Sequence, residues 1–351
     1  MRRWVTIGAK VMFRTVRHMD PRTLLELMLA DLDSAPELYR PTDFWKTGLE
    51  KVVADLRERG FAEFRRHPSA TFFYAPQYAP VSRPAAALSR AFGLAGGPGT
   101  LLRERIDQVP VARAHHATVT ALDPADRSPS LAGFSESAAG APAEQLVFDG
   151  RRFSRSSLNY LRGLVMLKRA VPDLDVSTVL EIGGGFGTLG EILLSGNPGL
   201  RYIDVDIPPV AAVATHYLRE ALGPEKVLDY AATREREKIV VDELEQPATV
   251  LCSWQLPRLT GTVDLFANFI SFQEMEPDVV ANYASLVTDL GARWLLLRNS
   301  PTGKPNVREP MLRHRYLEMF DRFELVDSDA GLYGQDSEGT VSEVMVLARR
   351  S

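Results

Sequence analysis

Residues 178–194 read TVLEIGGGFGTLGEILL. A short apolar run, 179–182, enters Gly183, Gly184, Gly185, Phe186 and Gly187, and helical text follows from Thr188. Glycines at a strand-to-helix turn permit positive φ and let a ligand approach the backbone with no Cβ in the way. About 20 residues on, the run RYIDVDIPP closes a second strand with Asp204 and Asp206, where a carboxylate can accept hydrogen bonds from a ribose diol. One of the two aspartates is expected to serve only the strand end. A dinucleotide turn would read G-x-G-x-x-G and hold a pyrophosphate at the helix N-terminus. Here the order is E-x-G-G-G-F-G, and the carboxylate of Glu181 beside the loop repels a pyrophosphate but suits a ligand bearing an ammonium and a sulfonium. S-adenosylmethionine is such a ligand, and Glu181, Gly183, Gly184, Gly185, Asp204 and Asp206 are its candidate binding residues.

In open α/β sheets ligands lie at the carboxyl ends of the strands near the point where strand order reverses. The loop after the fourth strand, Asn268-Phe269-Ile270-Ser271-Phe272-Gln273-Glu274-Met275, is therefore expected to face a transferable methyl group. Asn268 joins the cofactor candidates and Gln273 the acceptor candidates. Methyl transfer to a hydroxyl is an in-line displacement whose leaving group comes with the cofactor, so the protein must align the acceptor and take its proton. Glu274 is the expected base; its competing role is a helix-start carboxylate favoured by the dipole. His314, in the segment RHRYLEMF, is the second candidate base. Asn299, at the end of WLLLRN, is placed to hydrogen-bond a polyol. His216 reads as a packing residue, and His18, His67, His115 and His116 as surface or structural. Asp264 and Glu274 are carboxylates near the expected site, but no compact oxygen-ligand loop is visible, so no metal ligand is assigned and metal dependence stays open.

The loop resembles the first motif of class I S-adenosylmethionine-dependent methyltransferases. More narrowly, LEIGGGFG, YIDVDIPP, DLFANFISFQEM (264–275) and YRPTDFW (39–45) resemble the bacterial sugar O-methyltransferase family. The resemblance implies a seven-stranded sheet ending in an antiparallel hairpin, with Glu181, Gly183 and Gly185 at the methionine end of the cofactor and Asp206 at the ribose, Asp204 being second choice. Many such enzymes place an acidic residue after the third strand to meet the adenine amino group. This chain has Cys252-Ser253-Trp254-Gln255 there, which leaves Ser253 or Gln255 for the adenine edge and Trp254 for its face or for the core.

Positioning these residues requires an α/β frame. Strand-like runs at 179–182, 202–207, 249–252, 263–269, 294–297, 323–326 and 341–348 alternate mostly with helical or loop text. They predict a Rossmann-like, mostly parallel seven-stranded sheet; a Gly-rich loop between the last two makes those an antiparallel hairpin. Helical spacing over 21–66 predicts a mainly helical N-terminal region, and 154–170 an amphipathic helix closed by Pro172. Between 74 and 150 the chain is rich in Pro, Gly, Ala and Ser, as expected of mixed helices and long loops. The expected division is a substrate-recognition or lid region, 1–150, and a methyltransferase domain, 151–351. The charged run 234–238 is expected to be a solvated face.

Composition narrows the function. A formal charge of −4 gives no global basic field for nucleic acid, and the single cysteine, Cys252, excludes an internal disulfide. No signal-peptide core or membrane-spanning apolar run is evident, so a soluble cytoplasmic protein without membrane partner is expected. The expected function is S-adenosylmethionine-dependent methylation of a small hydroxylated acceptor, a sugar or glycosylated metabolite. Competing readings are N- or C-methylation of an amino acid or natural-product precursor, and a non-catalytic partner-binding module on the same fold. Homo-oligomerisation stays open.

Overall fold

The computed structural model describes residues 18–72, 98–304, 307–331 and 341–350. The Pro- and Ala-rich stretch 73–97 and the greater part of the predicted C-terminal loop, 332–340, lie outside the described residues. The N-terminal region is helical: α1 (Pro21–Leu32), α2 (Asp43–Arg59) and α3 (Pro98–Leu122). Asp20 caps α1 by accepting the Thr23 N–H at 3.0 Å, and Pro21 sits at the first helical position, where its missing N–H costs nothing. Gly60 ends α2 with φ at +81°, a conformation cheap only for glycine.

A hairpin, β1 (Leu146–Phe148) with β2 (Arg151–Phe153), leads into α4 (Arg155–Ala170). Ser154 and Ser157 cap the start of α4 reciprocally. This helix is buried over more of its circumference than an amphipathic stripe implies, because Asn159, Arg162 and Lys168 are buried with its leucines.

The sheet then forms from β3 (Thr178–Ile182), α5 (Thr188–Gly196), β4 (Arg201–Asp206), α6 (Val210–Leu222), β5 (Val227–Leu228), α7 (Tyr230–Thr233), β6 (Ile239–Val240), β7 (Ala248–Cys252), β8 (Leu259–Thr260), β9 (Leu265–Phe269), α8 (Pro277–Asp289), β10 (Trp294–Asn299), α9 (Arg313–Met319), β11 (Phe323–Asp329) and β12 (Glu343–Arg349). The strand order is β11-β12-β10-β9-β3-β4-β7-β5, with β12 antiparallel to both neighbours and the other pairings parallel. The seven expected strands are all present. A two-residue edge strand, β5, makes an eighth, and β6 pairs with β8 separately. The fold is thus Rossmann-like, with the helical N-terminal region against it. Every residue of β3, β7 and β9 is buried, as expected of parallel strands covered on both faces.

From β3 the chain moves outward through β4 and β7, then returns to the other side through β9 and β10. The order reverses between β3 and β9, so the carboxyl ends of β3, β4, β7, β9 and β10 open at one edge around that point. Apolar side chains from α1, α2, α4 and the sheet join in one continuous core.

Candidate functional site

The glycine loop leaves β3 with Gly183, Gly185 and Gly187 at φ +75°, +63° and +94°. Gly183 and Gly185 are partly exposed, whereas Gly184 is buried. A Cβ on Gly184 would lie 2.6 Å from Asp204 Oδ1 and 2.9 Å from both Glu181 Oε2 and the Tyr202 hydroxyl. Of the three expected cofactor glycines, then, Gly183 and Gly185 are partly exposed and Gly184 faces the core. A Cβ on Gly183 would meet the Ser271 side chain, so that glycine also allows the loop after β9 to close onto the loop after β3.

Beneath the loop lie three carboxylates on one face of the sheet. Glu181 and Asp204 stand opposite one another in register, and Asp206 follows two residues on along β4. Glu181 is fully buried; Tyr160 donates to its Oε1 at 2.8 Å and Tyr202 to its Oε2 at 2.6 Å. Burial pushes it up to about 7, the charge of Asp206 adding to the rise and the tyrosine bonds opposing it. Asp204 is also fully buried, with only poorly aligned backbone N–H groups of Gly184 and Val205 facing it. Burial, then Asp206 and Glu181, raise it well above the carboxylate range.

Asp206, at the strand end, accepts the Gly185 N–H at 3.1 Å and the Ile207 N–H at 2.7 Å. Burial pushes it up to about 7 against those two bonds. A carboxylate has room for further donors beyond two, so Asp206 can still receive a diol. Asp204 is the strand-internal member of the pair. Both oxygens of Glu181 are engaged by its tyrosines.

The candidates after β7 are committed within the protein. Ser253 donates to the Tyr39 carbonyl at 2.6 Å. Gln255 accepts the Cys252 N–H at 2.9 Å and donates to Thr233 at 3.0 Å. Trp254 packs edge-on against Tyr230, with ring centroids 5.8 Å apart, and donates to its hydroxyl. Trp254 therefore takes the core role of its two, and Ser253 and Gln255 hold local structure rather than presenting open polar edges.

The loop after β9 is locked by a buried amide network. Asn268 donates to the Ile182 carbonyl at 2.9 Å and to Ser271, and accepts from Asn299 at 3.0 Å. Asn299 accepts the Gln273 N–H at 3.1 Å, and Gln273 accepts the Ser300 N–H at 2.6 Å. Asn268, Gln273 and Asn299 thus tie the loops after β9 and β10 to one another and to the end of β3. Between them, Ile270 holds φ at +64°, a left-handed conformation that a β-branched residue adopts only under constraint. Nothing in the sequence marks that residue.

Glu274 is half-buried at the end of a single 3-10 turn (Phe272–Glu274), and its carbonyl accepts the Thr42 hydroxyl at 3.1 Å. The following helix starts at Pro277, so Glu274 is not its first-turn carboxylate. His314 stands exposed on α9, turned to solvent rather than into a pocket. His216 packs edge-on against Phe61, and His116 stacks on Phe148 and lies tilted against Phe153, as structural histidines do. Asp264 lies before β9, at the opposite end of the strands from the glycine loop, where it accepts from Ser177, Thr178 and Arg293. That removes it from the acceptor site. Among the described residues no group of three or more His, Cys, Asp or Glu is placed to hold a metal ion, and no helix is long and apolar enough to cross a membrane.

The N-terminal region reaches this edge directly. The segment from Tyr39 to Thr42 runs from Ser253, after β7, to Glu274, after β9. Arg65 stacks on Phe186 of the glycine loop, 4.7 Å from its centroid, and pairs with buried Glu136 at 2.7 Å. Arg234 bonds both oxygens of Asp31 in α1 and Tyr230 donates to the same carboxylate, so the charged run 234–238 is an anchor at its first residue rather than a wholly solvated face.

No family model and no curated protein matches the sequence. Solved structures with a similar fold include the mitomycin 7-O-methyltransferase MmcR (15% identity, 56% of this chain and 58% of that one, TM-score 0.35). They also include the magnesium protoporphyrin IX methyltransferase of Synechocystis PCC 6803 with bound S-adenosylmethionine (14% identity, 56% and 81% of the two chains, TM-score 0.38). The [4+2]-cyclase SpnF is a third (11% identity, 58% and 85%, TM-score 0.39). The match spans little more than half of MmcR, and at these identities and scores the likeness carries no assignment of function. That assignment rests on the site.

Proposed function

We propose that this protein is an S-adenosylmethionine-dependent methyltransferase acting on a small hydroxylated acceptor, a sugar or glycosylated metabolite. One observation carries the reading: two partly exposed left-handed glycines, Gly183 and Gly185, border a strand-end carboxylate, Asp206, above two further buried carboxyls. A Cβ-free cradle over a cluster of acids suits a nucleoside ligand whose other end is cationic, and is unsuited to a pyrophosphate. Gly183 and Gly185 hold the methionine end and Asp206 the ribose diol. When bound there, S-adenosylmethionine supplies an activated methyl carbon on a positively charged sulfur.

The chain's own work is to orient the acceptor and to hold its proton. The Asn268–Asn299–Gln273 network and the strained Ile270 fix the loop that faces the methyl group, and Glu274 takes the acceptor proton. Residues 1–150 serve as the substrate-recognition cover on the methyltransferase domain, 151–351. Glu274→Gln should lower turnover by about a hundredfold, the usual scale for a general base, with cofactor affinity retained. Incubation with labelled S-adenosylmethionine and a panel of sugars, followed by mass spectrometry for a gain of one methyl group, tests the function. Transfer only to amines, with turnover indifferent to Glu274→Gln, would favour the N-methyltransferase reading.

A further inference from the structure

Residues 183–187 hold four glycines and a single side chain, that of Phe186. Glycine loses more freedom on ordering than any other residue, so such a loop is costly to keep in one conformation. Three bonds help to hold it. The Gly183 N–H donates to the Val205 carbonyl at 2.9 Å, that of Gly185 to Asp206 at 3.1 Å and that of Gly187 to the Gly184 carbonyl at 3.1 Å. A further grip falls on the Phe186 ring, which is 1% exposed. Tyr217 of α6 packs edge-on against it with centroids 4.7 Å apart, Phe64 lies tilted at 5.7 Å, and the Arg65 guanidinium stands over its face at 4.7 Å.

Phe64 and Arg65 belong to the N-terminal region, on a 3-10 turn (Phe64–Arg66). Two carboxylates from the same region fix the guanidinium: Arg65 pairs with Glu136 at 2.7 Å and donates to Glu144 at 2.7 Å. The turn itself is seated on Gly140, whose carbonyl accepts the Arg65 N–H at 3.2 Å. Gly140 holds φ at +76°, and a Cβ there would run into the Phe64 ring, so only glycine lets the turn pack this closely. A second tie lies one turn beyond the loop. Glu191 of α5 donates its N–H to the Gly187 carbonyl at 3.1 Å, while its carboxylate accepts the Ser137 N–H at 2.7 Å and the Tyr217 hydroxyl. The N-terminal region thus holds both the glycine loop and the helix that follows it.

We infer that Arg65, with Phe64, is a positioning residue for the cofactor: by gripping Phe186 it keeps the glycine loop in its binding conformation before the ligand arrives. The N-terminal region then serves the cofactor as well as covering the acceptor. A loop ordered in advance spares the ligand the cost of ordering it, and a loop ordered only part of the time weakens binding by that fraction. Arginine suits the position because its planar, permanently charged group can lie flat on an aromatic face while its edge meets carboxylates. The inference rests on the methyltransferase reading for the identity of the ligand, and on the contacts alone for the grip on the loop.

The test uses the full chain and two readouts, amide hydrogen exchange without ligand and calorimetry of S-adenosylhomocysteine. Phe186→Leu keeps apolar bulk but offers no ring face to Arg65. Exchange over residues 183–191 should then quicken about tenfold or more while that of β10, residues 294–299, stays as in wild type. Affinity for S-adenosylhomocysteine should fall about tenfold or more in the same variant. Arg65→Met should act likewise, and Arg65→Lys, which keeps a charge over the ring, should recover affinity to within about threefold of wild type. Arg65→Met leaves Glu136 and Glu144 without their cation, so where it fails to fold Phe186→Leu decides the matter. Gly140→Ala, which presses on Phe64 from outside the loop, should also quicken exchange over 183–191 and not in β10. Exchange that rises equally in both segments of Phe186→Leu would overturn the inference, because a merely structural role lowers protection everywhere. Undiminished S-adenosylhomocysteine affinity in Phe186→Leu overturns it as well. A wild-type chain that binds no S-adenosylhomocysteine, yet shows the exchange change confined to the loop, overturns the cofactor reading instead and leaves the grip on the loop standing.

Discussion

The two glycines Gly183 and Gly184 are neighbours in sequence and opposites in role, which gives a prediction at the level of single atoms. Gly183→Ala must force a left-handed φ on alanine and drive a methyl group into Ser271, so it should weaken S-adenosylhomocysteine binding about tenfold or more by calorimetry. Gly184→Ala points its methyl into Asp204, Glu181 and Tyr202 instead, and should cost stability, about 1–3 kcal/mol in a denaturant titration, as overpacking does. The loop itself was readable from residue type, because a strand running into glycines leaves few other geometries. Which glycine faces which way was not readable. Nor was the fate of Ser253, Trp254 and Gln255, whose partners Tyr39, Tyr230 and Thr233 lie between 22 and 214 residues away along the chain. The surroundings of His115, read as surface or structural, are hidden for the same reason: its neighbour Arg162 is 47 residues distant, and a histidine in a helix has no local signature of its surroundings.

At the scale of elements, long periodic segments were legible and short or strained ones were not. Six of the seven main strands follow from buried apolar runs and β11 from an apolar run that stands largely exposed, whereas β5, β6 and β8 have two residues each and no period to detect. Helix α9 has seven residues, too few for the sequence to say which side carries His314, and the burial of Tyr316 leaves the histidine outward. Ile270 is the element-level feature with the sharpest consequence. Asparagine tolerates the left-handed region better than a β-branched residue, so Ile270→Asn should relieve roughly 1 kcal/mol of strain, offset in part by the lost side-chain packing. If the strained turn aims the loop at the acceptor, turnover should fall while S-adenosylhomocysteine affinity holds. Unchanged turnover in a folded Ile270→Asn would mean that the strain serves the fold and not the reaction.

For the whole molecule, buried carboxyls make stability depend on pH in a definite direction. Glu181, Glu191 and Asp206 sit at about 7 in the folded chain and Asp204 well above its ordinary value, each through burial first. As pH rises from the ordinary carboxylate range through about 7, the unfolded chain gives up protons that the folded chain keeps, so these groups lower stability across that interval. His67, His115, His116 and His216, lowered mainly by burial, act oppositely, but only below their ordinary value of 6.5. Between pH 6.5 and 8 the carboxyls stand alone among these groups, and the ligand-free protein should melt several degrees lower at pH 8 than at pH 6.5. A cationic ligand over the same carboxyls should expel protons, so the heat of S-adenosylmethionine binding at pH 7 should vary with the ionisation enthalpy of the buffer. The central claim is the cofactor itself, and the most direct measurement is calorimetry of S-adenosylhomocysteine and NAD against the wild-type chain and Asp206→Ala. The expected result is binding of S-adenosylhomocysteine at least about tenfold tighter than NAD, weakened about tenfold or more by Asp206→Ala. NAD binding as tight or tighter, or an Asp206→Ala chain that binds S-adenosylhomocysteine as well as wild type, would contradict it.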